Sequence, residues 1–311
     1  MANNKRSLSR KDFIKKSSLG ILGAGMIAGG PAVSMFTGSH KTAPGLIESE
    51  LGKTGIKLTR LGVGAPRIQE ASVLKYALDQ GIRFIDTGRF YAKGKNEIMI
   101  GEVIKGNRKE FAIQSKVKIK PDIAREKLQS ESTSSFIQNM FFKSLEESLE
   151  ALQTDYIDIM LFHDGSTSEW LYHEAVKESF TRAKKEGKIL ACGFSAHTNQ
   201  VELARNHNIN PFYDVMMLAF NPHGGYNKPG VRDYSWDQQA LITELTKAAD
   251  AGTGIIAMKT CLGGPYSPDE MTEASFPLAV NWILDQPYIH GTAVAMANFK
   301  QLDDHLSMMR Q

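Results

Sequence analysis

Three short apolar segments of the sequence each end on an ionisable residue. These residues are Asp86, Lys116 and His163, and a tyrosine, Tyr91, follows shortly after Asp86. If the three segments are neighbouring parallel strands, their C-terminal ends lie side by side, roughly 5 Å apart for each strand step. We therefore expect the three residues to converge, with Tyr91 reaching over them from a loop.

This set of side chains suits proton transfer. The reference pKa of a tyrosine is about 10, and a nearby ammonium such as that of Lys116 lowers it by favouring the phenolate. An ammonium in a dry site needs a counter-ion, which Asp86 would supply, and His163 can donate or accept a hydrogen bond at neutral pH. The set contains no obvious nucleophile. It predicts a site that gives a proton to an oxygen atom, as carbonyl reduction by a hydride-donating cofactor requires.

The composition and charge of the chain limit the class of protein that it could be. Its 311 residues are 42% hydrophobic, which is enough for one large globular domain or two small ones. The formal net charge is +3, but residues 1–41 hold seven Lys or Arg against one acid, Asp12, and the remainder holds 30 basic and 33 acidic residues. The basic excess therefore belongs to the N-terminal segment, and we expect no nucleic-acid partner for the rest of the chain.

The cysteine pattern argues against an iron–sulfur cluster or a zinc finger. Cys192 and Cys261 form no CxxC pair and have no other metal-ligand spacing. Each lies in or beside an apolar run, so we expect two buried thiols rather than a disulfide.

Residues 1–45 have the layout of an export signal. Residues 5–16 are basic, and residues 19–33 form an apolar run that is too short and too rich in glycine to span a bilayer comfortably. The stretch 9–15, Ser-Arg-Lys-Asp-Phe-Ile-Lys, resembles the twin-arginine export motif, with Lys11 in place of the second arginine. We predict a periplasmic protein that meets the export machinery through this leader, with a candidate cleavage site at 32–34. The alternatives are an uncleaved membrane anchor and a disordered basic tail on a cytoplasmic protein.

From residue 46 onward, strand and helix patterns alternate. Short apolar runs predict strands over Leu61–Gly64, Ile82–Asp86, Phe111–Lys116, Tyr156–Phe162, Ile189–Phe194, Tyr213–Phe220, Gly254–Lys259 and Ile289–Val294. Helices are predicted over Ala71–Gln80, Asn96–Lys105, Ser135–Leu152, Glu169–Glu186, Asn199–Asn206, Gln238–Ala251, Met271–Leu284 and Gln301–Met309.

This alternation predicts one α/β domain, residues 46–311, that folds as a closed (β/α)8 TIM barrel. The segment Leu51–Leu58, with glycines between short apolar stretches, predicts a small β-hairpin before the first barrel strand. A doubly wound open sheet is the alternative fold. It would place a glycine-rich phosphate-binding turn after the first strand, where this sequence has Gly64-Ala65-Pro66.

These motifs resemble those of the aldo-keto reductase family. The similarity lies in the segment 81–87 (GIRFIDT) with Tyr91, in the segment 149–159 (LEALQTDYIDI), in His163 and in Gly193-Phe194-Ser195. It runs from about Leu51 to the C-terminus. The resemblance implies that Tyr91 donates a proton, that Asp86 and Lys116 tune it, and that His163 orients the carbonyl group. It also implies that the hairpin plugs the bottom of the barrel.

The resemblance further implies a nicotinamide cofactor bound across the barrel mouth, with NADP(H) favoured and NAD(H) as the alternative. By position, Ser195 would contact the nicotinamide amide and Phe220 would stack on the ring. Ala196 and Met217 stand where the family usually has an asparagine and a glutamine. Additional candidate cofactor contacts lie at or after later strand ends, namely Asn221, Lys259, Asn298 and Gln301.

The function predicted is therefore an oxidoreductase that transfers hydride between nicotinamide and a small-molecule aldehyde, ketone or alcohol, with no metal. Two alternatives remain open from the sequence. A metal-dependent barrel hydrolase or isomerase would use Asp86, His163, Asp164 and His197 as ligands, although the charge of Lys116 would repel the ion. The other alternative is a non-catalytic protein that binds and senses the cofactor.

Overall fold

The computed structural model describes residues 46–119, 130–165, 167–228, 232–261 and 276–309. The predicted leader, residues 1–45, and the first part of the helix predicted from Met271 lie outside the described residues. The strands are numbered in chain order: β1 Glu48–Glu50, β2 Lys57–Thr59, β3 Leu61–Gly64, β4 Phe84–Asp86, β5 Ala112–Val117, β6 Ile157–Phe162, β7 Ile189–Ala196, β8 Val215–Ala219, β9 Gly225–Lys228, β10 Arg232–Ser235, β11 Gly254–Met258 and β12 Gly291–Ala295.

Strands β3 to β8, β11 and β12 form a closed parallel barrel. Each strand pairs with the next one along the chain in this set, and β12 pairs with β3, with Thr292 opposite Leu61, so that the circle is complete. The prediction of a (β/α)8 barrel is confirmed. The alternative of an open, doubly wound sheet is wrong because no edge is left between β12 and β3.

Helices follow the barrel strands and pack around them. Their ranges are α1 Ala71–Asp79, α2 Lys95–Val103, α3 Glu131–Ala151, α4 Ser168–Leu171, α5 Glu174–Lys185, α6 Gln200–Ile209, α7 Gln238–Asp250, α8 Phe276–Leu284 and α9 Phe299–Met309. Within the described ranges, none of these helices combines the length and the apolar character needed to cross a bilayer.

Two features differ from the sequence prediction. The single helix predicted over Glu169–Glu186 is split into α4 and α5, because His173 caps the second helix by accepting a hydrogen bond from the Ala175 N–H at 3.2 Å. The chain between β8 and α7 also forms an antiparallel hairpin, β9 and β10, in which Tyr226 lies opposite Tyr234. This hairpin was not predicted from the sequence.

The hairpin of β1 and β2 closes the end of the barrel at which the strands begin. Leu51, Ile56 and Leu58 are buried in the same apolar cluster as the inward-facing barrel residues. A Cβ atom on Gly254, the first residue of β11, would lie 2.5 Å from Leu51 Cγ. Glycine at this strand start therefore leaves the space that Leu51 fills, and the predicted plug at the barrel bottom is confirmed.

Side chains along each barrel strand alternate between the interior and the outer layer against the helices. In β5, Ala112 belongs to the interior cluster, whereas Ile113 and Val117 belong to the outer cluster. Gln114 and Lys116 continue the interior row and contact inward residues of neighbouring strands. Lys116 is thus carried to the C-terminal end of the barrel, next to Asp86 at the end of β4.

The loop that follows β4 carries Tyr91 and is held by a buried ion pair. Glu97 is fully buried, and its Oε2 lies 2.8 Å from Arg89 Nη1. Its other oxygen accepts a hydrogen bond from the Ser115 hydroxyl at 2.6 Å, which joins the loop to β5 beside Lys116. Burial raises the pKa of Glu97 above its ordinary value, and the hydrogen bond from Ser115 and the charge of Arg89 offset part of that rise.

The backbone directly after Tyr91 adopts an uncommon conformation. Ala92 and Lys93 have φ values of 49° and 55°, in the left-handed region that costs a non-glycine residue about 1–2 kcal/mol. The Thr87 hydroxyl donates a hydrogen bond to Asn96 Oδ1 at 2.7 Å across the base of this loop. The contacts at both ends of the loop therefore have to offset the strain at its centre.

We expect the variant Arg89→Met to lose about 3 kcal/mol of unfolding free energy at pH 8, because it leaves the buried carboxylate of Glu97 unpaired. The pKa of Glu97 is already raised by burial, and loss of the guanidinium raises it further. A carboxyl group whose folded pKa lies above the unfolded value stabilises the protein at low pH, and this stabilisation is lost as the pH rises through the folded pKa. The loss should therefore be smaller at pH 5 than at pH 8 in urea unfolding experiments.

The double variant Arg89→Met/Glu97→Gln is the control, since it removes the buried charge together with its partner. At pH 8 the unfolding free energy of the double variant should be closer to that of the parent protein than the value for Arg89→Met is. Between pH 5 and pH 8 the unfolding free energies of the double variant and the parent protein should change by similar amounts. An equal loss for Arg89→Met at both pH values would mean that the carboxylate does not depend on the guanidinium.

Candidate active site

The buried ammonium of Lys116 is at the centre of the site. Its Nζ lies 2.5 Å from Asp86 Oδ1 and donates a second hydrogen bond to the Thr87 carbonyl oxygen at 2.7 Å. Both charged side chains are almost completely buried. Burial by itself would lower the pKa of Lys116, but the attraction of Asp86 and of Tyr91 outweighs it and raises that pKa above its ordinary value. Lys116 is therefore held as a cation inside the barrel.

Tyr91 and His163 meet this cation at the barrel mouth. The Lys116 Nζ lies 4.9 Å from the centroid of the Tyr91 ring, and the rings of Tyr91 and His163 lie edge to face with centroids 5.8 Å apart. Burial raises the pKa of Tyr91, the ammonium of Lys116 lowers it and Asp86 raises it again, so that the net pKa is above its ordinary value. Lys116 thus acts in the direction that the sequence analysis expected, but the burial of the phenol outweighs it.

One buried polar residue of the site was missed by the sequence analysis. Gln114 Nε2 donates a hydrogen bond to Asp86 Oδ1 at 2.6 Å and lies 3.2 Å from the sulfur of Met217. The same carboxylate oxygen therefore accepts from both Gln114 and Lys116. The signal was present in the sequence, because Gln114 precedes Lys116 by two residues in a strand and shares its face.

Ser195 lies at the mouth end of β7, where it is almost fully buried. Its Oγ accepts a hydrogen bond from the Asp164 N–H at 3.2 Å. This arrangement uses one lone pair of the hydroxyl and keeps its O–H free to donate to an amide oxygen. The cofactor contact expected of Ser195 stays a prediction, and its buried hydroxyl is compatible with it.

The structure corrects the expectation for Phe220. This residue is fully buried, and its ring packs against Trp282 at 5.5 Å and Tyr288 at 6.1 Å between centroids. It belongs to the outer cluster beneath the helices. Phe220 therefore does not present a face to the barrel mouth on which a nicotinamide ring could stack.

The amide of Asn221 is engaged in fixing loops. Its Nδ2 donates to the carbonyl oxygens of Gly225 at 2.9 Å and Lys259 at 3.2 Å, and its Oδ1 accepts from the His223 N–H at 3.0 Å. Lys259 has a left-handed backbone with φ of 59°, and its Nζ lies 5.8 Å from the Tyr226 ring centroid. Asn221 therefore orders the loop that carries Lys259, since its amide groups bond to backbone atoms of that loop and its neighbours. A cofactor contact by Lys259 stays a prediction.

Asn298 and Gln301 cap the last helix, α9. Asn298 Oδ1 accepts from the Gln301 N–H at 3.0 Å, and Gln301 Oε1 accepts from the Ala297 N–H at 2.7 Å. The first bond satisfies an N–H group that the first turn of a helix leaves without a partner, and the second holds the chain just before the helix. Their amide oxygens thus order the segment that follows β12, two strand positions from β4 in the barrel, and a cofactor contact by either residue stays a prediction.

The metal-site alternative finds no support in the described residues. No three His, Cys, Asp or Glu side chains of those ranges are grouped so that they could hold a metal ion. Asp86, one of the four residues that this alternative requires, is paired with Lys116. Both cysteines are free thiols, as expected; Cys192 is buried as predicted, whereas Cys261 is only half-buried.

Comparison with known proteins gives a consistent result. The model of the Aldo/keto reductase family matches residues 58–277. The aldo-keto reductase YhdN of Bacillus subtilis is 28% identical over 279 residues, which cover 77% of this chain and 81% of YhdN. The methylglyoxal reductase DkgB of Yersinia pestis is 27% identical, over 65% of this chain and 87% of DkgB. The match to a further relative, the uncharacterized oxidoreductase YqkF of Bacillus subtilis, spans about half the length of that protein, 46%.

Solved structures share the same architecture. A Pseudomonas aeruginosa protein described as an aldo-keto reductase superimposes with a TM-score of 0.64 at 25% identity, covering 87% of this chain and 97% of that protein. The aldo-keto reductase AKR11C1 of Bacillus halodurans has a TM-score of 0.65 at 17% identity, over 86% of this chain and 91% of that one, which supports the fold alone. Because the family model covers well over half of the sequence and the barrel is closed, the chain belongs to the aldo/keto reductase family, whose members are nicotinamide-dependent oxidoreductases of carbonyl and alcohol groups.

Proposed function

We propose that the protein reduces a small aldehyde or ketone, or oxidises the corresponding alcohol, with Tyr91 as the proton donor and acceptor. The observation that carries this proposal is the buried ammonium of Lys116, which contacts both Asp86 and Tyr91. When bound, the nicotinamide cofactor supplies or removes the hydride. The residues of the chain then have to handle the proton and the charge on the substrate oxygen.

In the direction of reduction, the Tyr91 hydroxyl gives its proton to the substrate oxygen as negative charge develops there. The phenolate that is left lies beside the Lys116 ammonium, which stabilises it without moving. Asp86 keeps Lys116 charged, and His163, whose ring borders that of Tyr91, would hold the substrate oxygen in place. The raised pKa of Tyr91 keeps the phenol protonated at neutral pH, so the group is ready to act as an acid.

The residues at the mouth fit a nicotinamide cofactor in part. Ser195 offers a buried hydroxyl whose O–H is available to an amide, and Lys259 offers an ammonium on the neighbouring side of the mouth. Phe220 is withdrawn from the mouth, so any stacking partner has to be another group. We favour NADP(H) over NAD(H) because the chain resembles a family that more often uses the phosphorylated form. The similarity to the methylglyoxal reductase DkgB favours small aldehydes as substrates.

We expect Tyr91→Phe to lower kcat by about 10²–10⁴, the range typical of a lost general acid. The cofactor should still bind, because the variant keeps the ring and the Lys116–Asp86 pair. Steady-state rates with a panel of small aldehydes test the first statement. Titration of the parent and variant proteins with NADPH and NADH, followed by nicotinamide fluorescence, tests the second and decides which cofactor is preferred.

Tyr76→Phe is the matched control, because it removes a tyrosine hydroxyl that bonds to Asp303 at 2.8 Å on the outside of the barrel. It should leave the rates unchanged. Full activity of Tyr91→Phe would end the proposed mechanism. Cofactor binding by the parent protein without turnover of any carbonyl would instead favour the non-catalytic, cofactor-sensing alternative.

We also infer that residues 1–45 act as a twin-arginine-type export leader and that the mature protein works in the periplasm. The support is the arrangement of the basic stretch 5–16 before the apolar run 19–33. Export in the folded state would let the barrel bind its cofactor before it leaves the cytoplasm. In a bacterial host with this pathway, we expect the periplasmic protein to begin near Ser34, as measured by mass spectrometry of its N-terminus.

Arg10→Lys should retain the protein in the cytoplasm with its leader uncleaved, because it removes the arginine of the motif. Arg6→Lys, the same exchange outside the stretch 9–15, is the control and should be exported normally. An intact leader on soluble cytoplasmic parent protein would overturn the inference, and an intact leader in the membrane fraction would favour the anchor.

A further inference from the structure

Two lysine–aromatic pairs lie next to each other at the barrel mouth. Lys116 sits over the ring of Tyr91 at 4.9 Å, and Lys118 sits over the ring of Phe90 at 5.4 Å from Nζ to centroid. The lysines are separated by one residue at the end of β5, and the two aromatic residues are consecutive in the loop after β4. The second pair therefore repeats the first one farther out from the barrel interior.

The two pairs differ in burial and in charge compensation. Lys116 is buried and neutralised by Asp86. Lys118 is half-buried, and in the described part of the chain no carboxylate forms an ion pair with it. Phe90 is 55% exposed and directly precedes Tyr91 in the chain, so its ring is accessible beside the proposed site. The outer pair thus combines a lysine that has no ion-pair partner among the described residues with an exposed aromatic side chain.

The offset between the two pairs follows from the two-residue separation of Lys116 and Lys118 along the chain. Two residues of extended chain span roughly 7 Å, which is about the distance between the two para substituents of a benzene ring. A carbonyl oxygen held at Tyr91 would therefore leave the far end of such a molecule near the ammonium of Lys118. Its flat or apolar centre would lie against Phe90, because this side chain is largely exposed and lies next to Lys118.

We propose that the Phe90–Lys118 pair selects carbonyl substrates that carry a carboxylate about one ring length from the reacting carbon. This inference rests on the proposed function, because it assigns the carbonyl group to Tyr91. Recognition of the carboxylate by Lys118 is an ion pair at a partly exposed position. Such a pair changes affinity only modestly, by about fivefold, and salt weakens it.

The test compares two para-substituted aldehydes that differ only in charge, 4-carboxybenzaldehyde and its methyl ester, methyl 4-formylbenzoate. We expect kcat/KM to be about fivefold higher for the acid than for the ester in the parent protein at low salt. Lys118→Met should abolish this ratio by raising KM for the acid while leaving the ester unchanged. Raising the salt concentration should diminish the ratio in the parent protein and have little effect in the variant.

Lys109→Met is the matched control, since it removes an exposed lysine just before the start of β5, at the opposite end of the barrel. It should keep the preference for the acid. A parent protein that reduces both aldehydes equally well, or a Lys118→Met variant that keeps the preference, would overturn the inference and leave the proposed function intact.

Failure of the proposed function would look different, because neither aldehyde would be reduced. The inference would then be measured by binding, with 4-(hydroxymethyl)benzoate titrated into the parent protein and into Lys118→Met by calorimetry. We expect binding to the parent protein about fivefold tighter than to the variant. Equal affinity for both would overturn the inference without reference to turnover.

Discussion

The site depends on one buried cation, the ammonium of Lys116. Taking an ammonium out of water costs several kcal/mol unless a counter-ion and hydrogen-bond acceptors replace the lost hydration. The barrel supplies both, through Asp86 on the adjacent strand and the carbonyl oxygen of Thr87 that follows it. A second donor, Gln114, fixes the same oxygen of Asp86 and so restrains the direction in which the carboxylate points. The charge is thus held in place before any substrate binds, which is the condition under which it can stabilise a phenolate at little reorganisation cost.

The closed barrel determines where this cation can act. The barrel interior could open at either end of the strands. The hairpin residues Leu51 and Leu58 fill the end at which the strands begin. Phe84 occupies the space opposite Gly62, where an added Cβ would lie 2.1 Å from its ring. Among the described residues, the end at which the strands begin is therefore filled, and the C-terminal end of the strands is the side from which a ligand would meet Lys116. The polar residues of the interior are at that end because strand periodicity and the register of β4 and β5 carry them there.

Much of this arrangement could be predicted from the sequence, because strand ends in a parallel sheet meet on one side. That rule was enough to bring Asp86, Lys116 and His163 together without any contact information. The rule failed where a shift of one residue along a strand decides whether a side chain faces the barrel interior or the outer layer. Ala219 is the last residue of β8, and Phe220 follows it into the outer layer, against Trp282 rather than the mouth. The reciprocal hydrogen bonds of Asn298 and Gln301 likewise require the exact start of α9, which a pattern of apolar residues does not define.

Tyr91 is the member of the site that no strand positions, and this explains the structure of its loop. Lys116 and Asp86 are fixed by the barrel, whereas a hydroxyl on a free loop would spend little time at the distance that proton transfer needs. The buried pair of Arg89 and Glu97 ties the loop to β5 through Ser115, on the strand that also carries Lys116. Ala92 and Lys93, whose backbone is left-handed, then turn the chain into α2, which begins at Lys95. The ion pair beneath the loop and the strained turn after Tyr91 therefore act together, because the contacts that fix the loop to the barrel offset the cost of the turn and restrain the Tyr91 side chain beside Lys116.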